Sequence, residues 1–238
     1  MQKMYENGSR SVIIESSNGY SLSGVQTKKC ILISGIILGF PGFENILLEF
    51  VSKPHLSPQD KVSIFNRNME ESLSSLKLND SEHYLKVDSI IFSDIVYQTL
   101  KENSFDRFFD IRTVEKDLND DAGLLFMMCS TFVVLKERHN TENKRSGRVS
   151  SSVNDFLRST SNTQLHQGMD VVVEYSPFVA SSLLNSWSTG IISQVYGEDS
   201  CIFVTDVHLT TQGSTGAPVY RFVNQSLILL LILTVILK

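Results

Sequence analysis

Short apolar runs rich in β-branched and aromatic residues recur along most of the chain, and they constrain its fold more than any other feature. They fall at 11–14, 20–25, 30–40, 46–51, 84–92, 124–135, 171–175, 190–195, 201–207 and 217–223. Runs of this length bounded by Gly, Ser, Asn and Asp, residues that turn a chain, predict strands. The crossover helices of a parallel sheet would need a 3.6-residue period, which few windows show. An all-β chain built as an antiparallel sandwich or barrel is therefore expected. The main exception is 93–109, where Ile95, Val96, Leu100, Phe105, Phe108 and Phe109 would form one apolar face of an expected helix.

Two stretches read as excursions from the core. Residues 54–80 are mixed, polar and rich in Ser and Asn, with Pro54 and Pro58 as breakers. Residues 137–167 hold few large apolar side chains and include Lys144-Arg145-Ser146-Gly147-Arg148. This segment is expected to be a polar surface loop whose Lys144-Arg145 pair is open to proteases.

Composition excludes several function classes. With 238 residues, 21 Lys and Arg against 26 Asp and Glu, and a formal net charge of -5, the chain has no basic excess with which to neutralise phosphates. Nucleic acid is not an expected partner. Cys30, Cys129 and Cys201 are widely spaced and odd in number, which suggests neither a disulfide framework nor a zinc site and fits a reducing compartment. The polar start, Met1-Gln2-Lys3-Met4-Tyr5-Glu6-Asn7-Gly8, does not read as a signal peptide. None of His55, His83, His139, His166 and His208 has metal-ligand spacing to another, and no phosphate-binding glycine loop follows a strand. No metal or cofactor is expected.

Residues 227–237 are apolar except for Thr234. As a helix they would span about 17 Å, short of the roughly 30 Å hydrocarbon core, so a membrane span would match poorly. Extended, they would reach about 36 Å, longer than an ordinary strand, so a buried strand that bends or breaks within the run is the expected form.

The candidate chemistry lies in the C-terminal third. Tyr175-Ser176-Pro177-Phe178 is followed by Ser188-Thr189-Gly190-Ile191-Ile192-Ser193, by Ile202-Phe203-Val204-Thr205-Asp206 and by Gly213-Ser214-Thr215-Gly216-Ala217-Pro218-Val219. A glycine-rich turn around a hydroxyl can present a nucleophile at a sharp bend with backbone N–H groups free for an oxyanion. An ordinary hairpin between two strands is the alternative for this turn.

In order and spacing these segments resemble trypsin-like proteases of the Deg/HtrA type. Within them they look most like the N-terminal domain of the peroxisomal, or glyoxysomal, leader-peptide processing proteases. Upstream, Ser34-Gly35-Ile36-Ile37-Leu38 and Ile46-Leu47-Leu48 resemble early strands of that family. The resemblance implies a single trypsin-like domain over 1–238, a double β-barrel cut off in the second barrel, with a following catalytic domain absent. It implies Ser214 or Thr215 at the nucleophile position: counting from Thr205-Asp206 selects Ser214, while matching Gly216-Ala217-Pro218-Val219 selects Thr215.

The catalytic base of the family would fall near Glu49-Phe50-Val51, where there is no histidine, and His55 is the nearest. Two stretches, Asp121-Ala122-Gly123-Leu124 and Ser130-Thr131-Phe132-Val133, compete for the acid. A hydroxyl without a base is a weak nucleophile, so the domain is expected to be non-catalytic. The resemblance implies a part in processing peroxisomal matrix proteins, with peptides or proteins as partners. A pseudoprotease module that binds peptides is the rival, and a tail-anchored membrane protein a third reading. The chain ends Ile236-Leu237-Lys238 without a Ser-Lys-Leu-type address, so the peroxisome is implied by family alone and the cytoplasm is the setting otherwise. An exposed apolar edge of such a fold would promote self-association.

Overall fold

A computed structural model describes residues 10–16, 19–27, 30–39, 43, 46, 49–50, 52–53, 57–71, 76–78, 84–105, 121–137, 164–197, 200–208, 213–223 and 226–232. The described chain is mostly β. Six strands, β1 (Arg10–Ser16), β2 (Ser21–Gln26), β3 (Ile31–Ser34), β4 (Leu76–Leu78), β5 (Tyr84–Phe92) and β6 (Thr131–Glu137), pair antiparallel in the order β1-β2-β3-β6-β5-β4. The pairing of β1 with β4 closes them into a barrel. Five more, β7 (Asp170–Tyr175), β8 (Ser186–Tyr196), β9 (Ile202–Thr205), β10 (Pro218–Val223) and β11 (Ser226–Ile232), form a second antiparallel sheet in the order β11-β10-β7-β8-β9.

Two-residue periodicity explains the barrel core. Val12 and Ile14 of β1, Ile31 and Ile33 of β3, and Val133 and Leu135 of β6 point inward, while Leu32 and Val134 between them lie on the other face, buried against the second sheet. Helix α1 (Pro58–Glu71) adds Val62 and Phe65 to this core, with the Phe65 ring 5.5 Å from that of Phe43. Asn66 of α1 completes backbone bonding at the irregularity in β5, accepting from the Val87 N–H at 3.0 Å and donating to its carbonyl at 2.9 Å. Helix α2 (Asp94–Glu102) starts at Ser93, whose hydroxyl accepts from the Val96 N–H. Helix α3 (Asp121–Cys129) stops where the hydroxyls of Ser130 and Thr131 bond back to the carbonyls of Phe126 and Met127.

Strand β5 coincides with the expected run, and α2 falls inside the expected helix. The mostly β content agrees with the expected class, with α1, α2, α3 and further helical residues beside the strands. Three expectations need correction. The strand expected at 46–51 is helical at Ile46, Glu49 and Phe50, because Ile46 and Phe50, one turn apart, both fill the barrel core. The run at 124–135 divides into α3 and β6, since the hydroxyls of Ser130 and Thr131 cap the helix in mid-run. Within 54–80, α1 supplies core residues rather than an excursion. Most of the polar stretch at 137–167, residues 138–163, lies outside the described residues. In the apolar tail, 226–232 forms β11, and 233–238 lies outside the described residues.

Candidate functional site

The turn at 213–216 sits between the two sheets. It is not a hairpin: β9 precedes it and β10 follows it, yet β7 and β8 stand between those strands. Gly213 and Gly216 both take positive φ, at 94° and 85°, and the Ala217 N–H donates to the Ser214 carbonyl at 3.0 Å. Ser23 of β2 clamps the turn from the barrel side. Its N–H donates to the Thr215 carbonyl at 2.8 Å, and its hydroxyl donates to the Gly213 carbonyl. Glycine is required at 216 on two counts, since a Cβ there would meet the Ser23 carbonyl and would also strain the positive φ.

This packing separates the two alternative nucleophile positions. Ser214 is 0% exposed, whereas Thr215 is half-buried. A nucleophilic hydroxyl has to reach both a substrate carbonyl and a proton acceptor. In this arrangement no substrate reaches Ser214 unless the turn leaves β2. The described histidines, His166 and His208, are exposed, and the His166 Nδ1 lies 3.1 Å from the Gln167 carbonyl.

At the expected base position Glu49 pairs with Lys53 at 2.8 Å and with Arg67 at 3.6 Å, and Phe50 is buried in the barrel core. The hydrogen bond from Lys53 holds the Glu49 carboxyl below its usual range. His55 and Val51 lie outside the described residues. Of the two stretches competing for the acid, the first opens α3 with Asp121, whose side chain is not described, and the second spends the Ser130 and Thr131 hydroxyls on helix carbonyls.

Two supporting pieces of the resemblance have defined structural roles. The Asp206 carboxylate accepts from the Ile191 N–H at 2.7 Å, and the Thr205 hydroxyl donates to the Ile191 carbonyl at 2.9 Å, which ties the end of β9 to β8. The Ser176 hydroxyl donates to the Ala180 carbonyl at 2.7 Å across a turn in which Phe178 has φ 56° and is 68% exposed.

Glu174 is the residue that sequence reasoning missed. Val172 and Glu174 share the face of β7 that meets the barrel, and the carboxylate is 1% exposed. Its Oε2 accepts from the Ser11 N–H at 3.1 Å and from the Tyr220 hydroxyl at 3.2 Å, which joins β1 to β7 and β10. Around it Val25, Cys30, Leu32 and Val134 of the barrel meet Val172 and Tyr220. A lone acid inside Val171-Val172-Val173-Glu174-Tyr175 was the available signal, since a carboxylate in such a run must be paired to be buried.

Among the described residues no group of His, Cys, Asp and Glu could hold a metal ion, and no helix is long and apolar enough to cross a membrane. Set against models of protein families and against curated proteins, the sequence matches none.

Proposed function

We propose that this chain is a trypsin-type, protease-like domain that does not itself hydrolyse peptides. It would stand in the position of the N-terminal domain of a peroxisomal leader-peptide processing protease. The observation that carries the reading is the complete burial of Ser214 in a turn that Ser23 clamps onto the barrel. The double-barrel plan is supported by a closed six-stranded barrel followed by a five-stranded sheet of related connectivity. The peroxisomal setting rests on the sequence resemblance alone.

A binding role is favoured over a catalytic one, because of the two described residues at the expected base position Glu49 is held in a surface ion pair and Phe50 fills the barrel core. Incubation of the full chain with a pool of unstructured peptides, read by mass spectrometry, tests the reading. Intact peptides are expected; cleavage that disappears in Ser214→Ala or Thr215→Ala would overturn it. Imaging of the tagged chain against a peroxisomal matrix marker tests the location separately.

A further inference from the structure

Charge is missing from one part of the sequence. Asp, Glu, Lys and Arg make up 20% of the residues, yet none of them, and no His, occurs from Tyr175 to Gly197, the longest run without one. This run is not a core segment. Of the eight large apolar side chains exposed among the described residues, four fall within it: Phe178, Leu183, Trp187 and Ile191, 39% to 68% exposed. Single exposed apolar groups are ordinary, whereas several collected on one stretch mark a contact surface.

Phe178, Leu183 and Trp187 lie at one end of the second sheet. Strand β7 ends at Tyr175 and β8 starts at Ser186, and the connection between them makes two turns of 3-10 helix, Pro177–Val179 and Ser181–Leu183. Trp187 follows at once, in register with Glu174. Hydrogen bonds fix the connection. Besides the bond from Ser176, the Ala180 N–H donates to the Pro177 carbonyl at 3.1 Å, the Leu183 N–H to the Ala180 carbonyl at 2.9 Å and the Ser186 hydroxyl to the Leu183 carbonyl at 2.8 Å. They hold Phe178 and Asn185 at φ 56° and 62°. A bulky aromatic is strained there, and such strain persists only where the surroundings impose it. The turn thus keeps a phenyl ring in solvent against both its backbone preference and its hydrophobicity.

We infer that this connection docks the protein on the surface of a neutral lipid bilayer. Phe178, Leu183 and Trp187 enter the boundary between headgroups and acyl chains, and the exposed Ser182 and Asn185 bond the headgroups. Three apolar side chains on one connection are too few for the roughly 800 Å² that each partner of a stable protein complex covers. A lipid interface takes up each side chain separately, and tryptophan favours it because its ring is apolar and its N–H polar. No ionic group of the run has to leave water as the turn sinks in. Without Lys or Arg there, and with a net charge of -5, anionic lipid adds no attraction. The inference is independent of the protease-like reading and of the peroxisomal setting.

Trp187 is the only tryptophan of the sequence, so its emission reports on this turn alone. With the 238-residue chain and phosphatidylcholine vesicles, the emission should shift to the blue and be quenched by lipid brominated near the headgroup, and the chain should float with the vesicles. High salt and added anionic lipid should not strengthen binding. Phe178→Asn suits the left-handed backbone and removes the ring; it should keep the fold and weaken partitioning about tenfold, as should Leu183→Ser. Ile95→Ser, on α2, which packs near Tyr196 at the other end of β8, should leave partitioning unchanged. The inference is overturned if the chain does not float, or floats without quenching of Trp187, which would place the contact elsewhere. It is also overturned if Phe178→Asn and Leu183→Ser partition as the unmodified chain does. A free chain whose Trp187 is already shielded from acrylamide, or becomes shielded only by another protein, would overturn it as well.

Discussion

The phenolic hydroxyl of Tyr220 donates to the carboxylate of Glu174 at 3.2 Å, in a seam where both side chains are buried. Because the same oxygen also accepts from the Ser11 N–H, one carboxylate links the barrel to two strands of the second sheet. Tyr220→Phe removes one donor and is expected to cost about 1.5–3 kcal/mol in urea unfolding at unchanged m. Glu174→Ala strands two buried donors at once and should cost more, about 3 kcal/mol or above. A Glu174→Ala loss no larger than that of Tyr220→Phe would contradict the bridging role.

The clamp on the 213–216 turn gives a second pair of variants. Ser23→Ala deletes the hydroxyl bond to the Gly213 carbonyl but keeps the N–H bond to Thr215, so a loss of about 1 kcal/mol is expected. Gly216→Ala should cost distinctly more, about 2 kcal/mol or above, because the added methyl meets the Ser23 backbone and strains the positive φ. Thermal unfolding that ranks Ser23→Ala as the more damaging change would refute this packing.

Thiol chemistry reports on burial. Cys30 and Cys129 are buried and Cys201 is half-buried; burial pushes the Cys129 thiol up from 9.0 to about 12. At pH 8 a maleimide is expected to modify Cys201 first and to leave Cys129 unmodified in the native chain. Since the folded value lies above the unfolded one, this thiol stabilises the fold fully below about pH 9. The contribution is lost as the pH rises from 9 towards 12, so Cys129→Ser should flatten the alkaline fall in stability. Rapid native labelling of Cys129 would contradict its burial.

Asn66 ties α1 to β5 through both backbone groups of Val87. Asn66→Leu removes both bonds at the irregular register of β5, and a loss of about 2 kcal/mol is expected, with faster hydrogen exchange at Val87. Unchanged exchange there would show that the side chain does not hold the strand.

Most strands were legible because branched residues alternate between two faces, as in Val171-Val172-Val173 and Val133-Val134-Leu135. Segment 121–129 was not legible as a helix, because Leu124, Leu125, Phe126, Met127 and Met128 are apolar all round and carry no helical period. Ile46 and Phe50 misled for a related reason, their run being too short to show its period. Of the candidate site, the turn is legible from its glycines, but counting from Thr205-Asp206 selects Ser214 and matching Gly216-Ala217-Pro218-Val219 selects Thr215, which leaves both open. What distinguishes them is the contact with Ser23, 191 and 192 positions earlier in the chain, which no local pattern encodes. Glu174 escaped notice because its partners, Ser11 and Tyr220, are likewise distant in sequence.

The most direct measurement of the non-catalytic reading is labelling of the native 238-residue chain by a fluorophosphonate serine probe, with tryptic mapping of any adduct. A buried Ser214, and a turn at 213–216 that Ser23 clamps to the barrel, predict no adduct at Ser214 or Thr215 under native conditions. Stoichiometric labelling that vanishes in Ser214→Ala or Thr215→Ala would contradict the account.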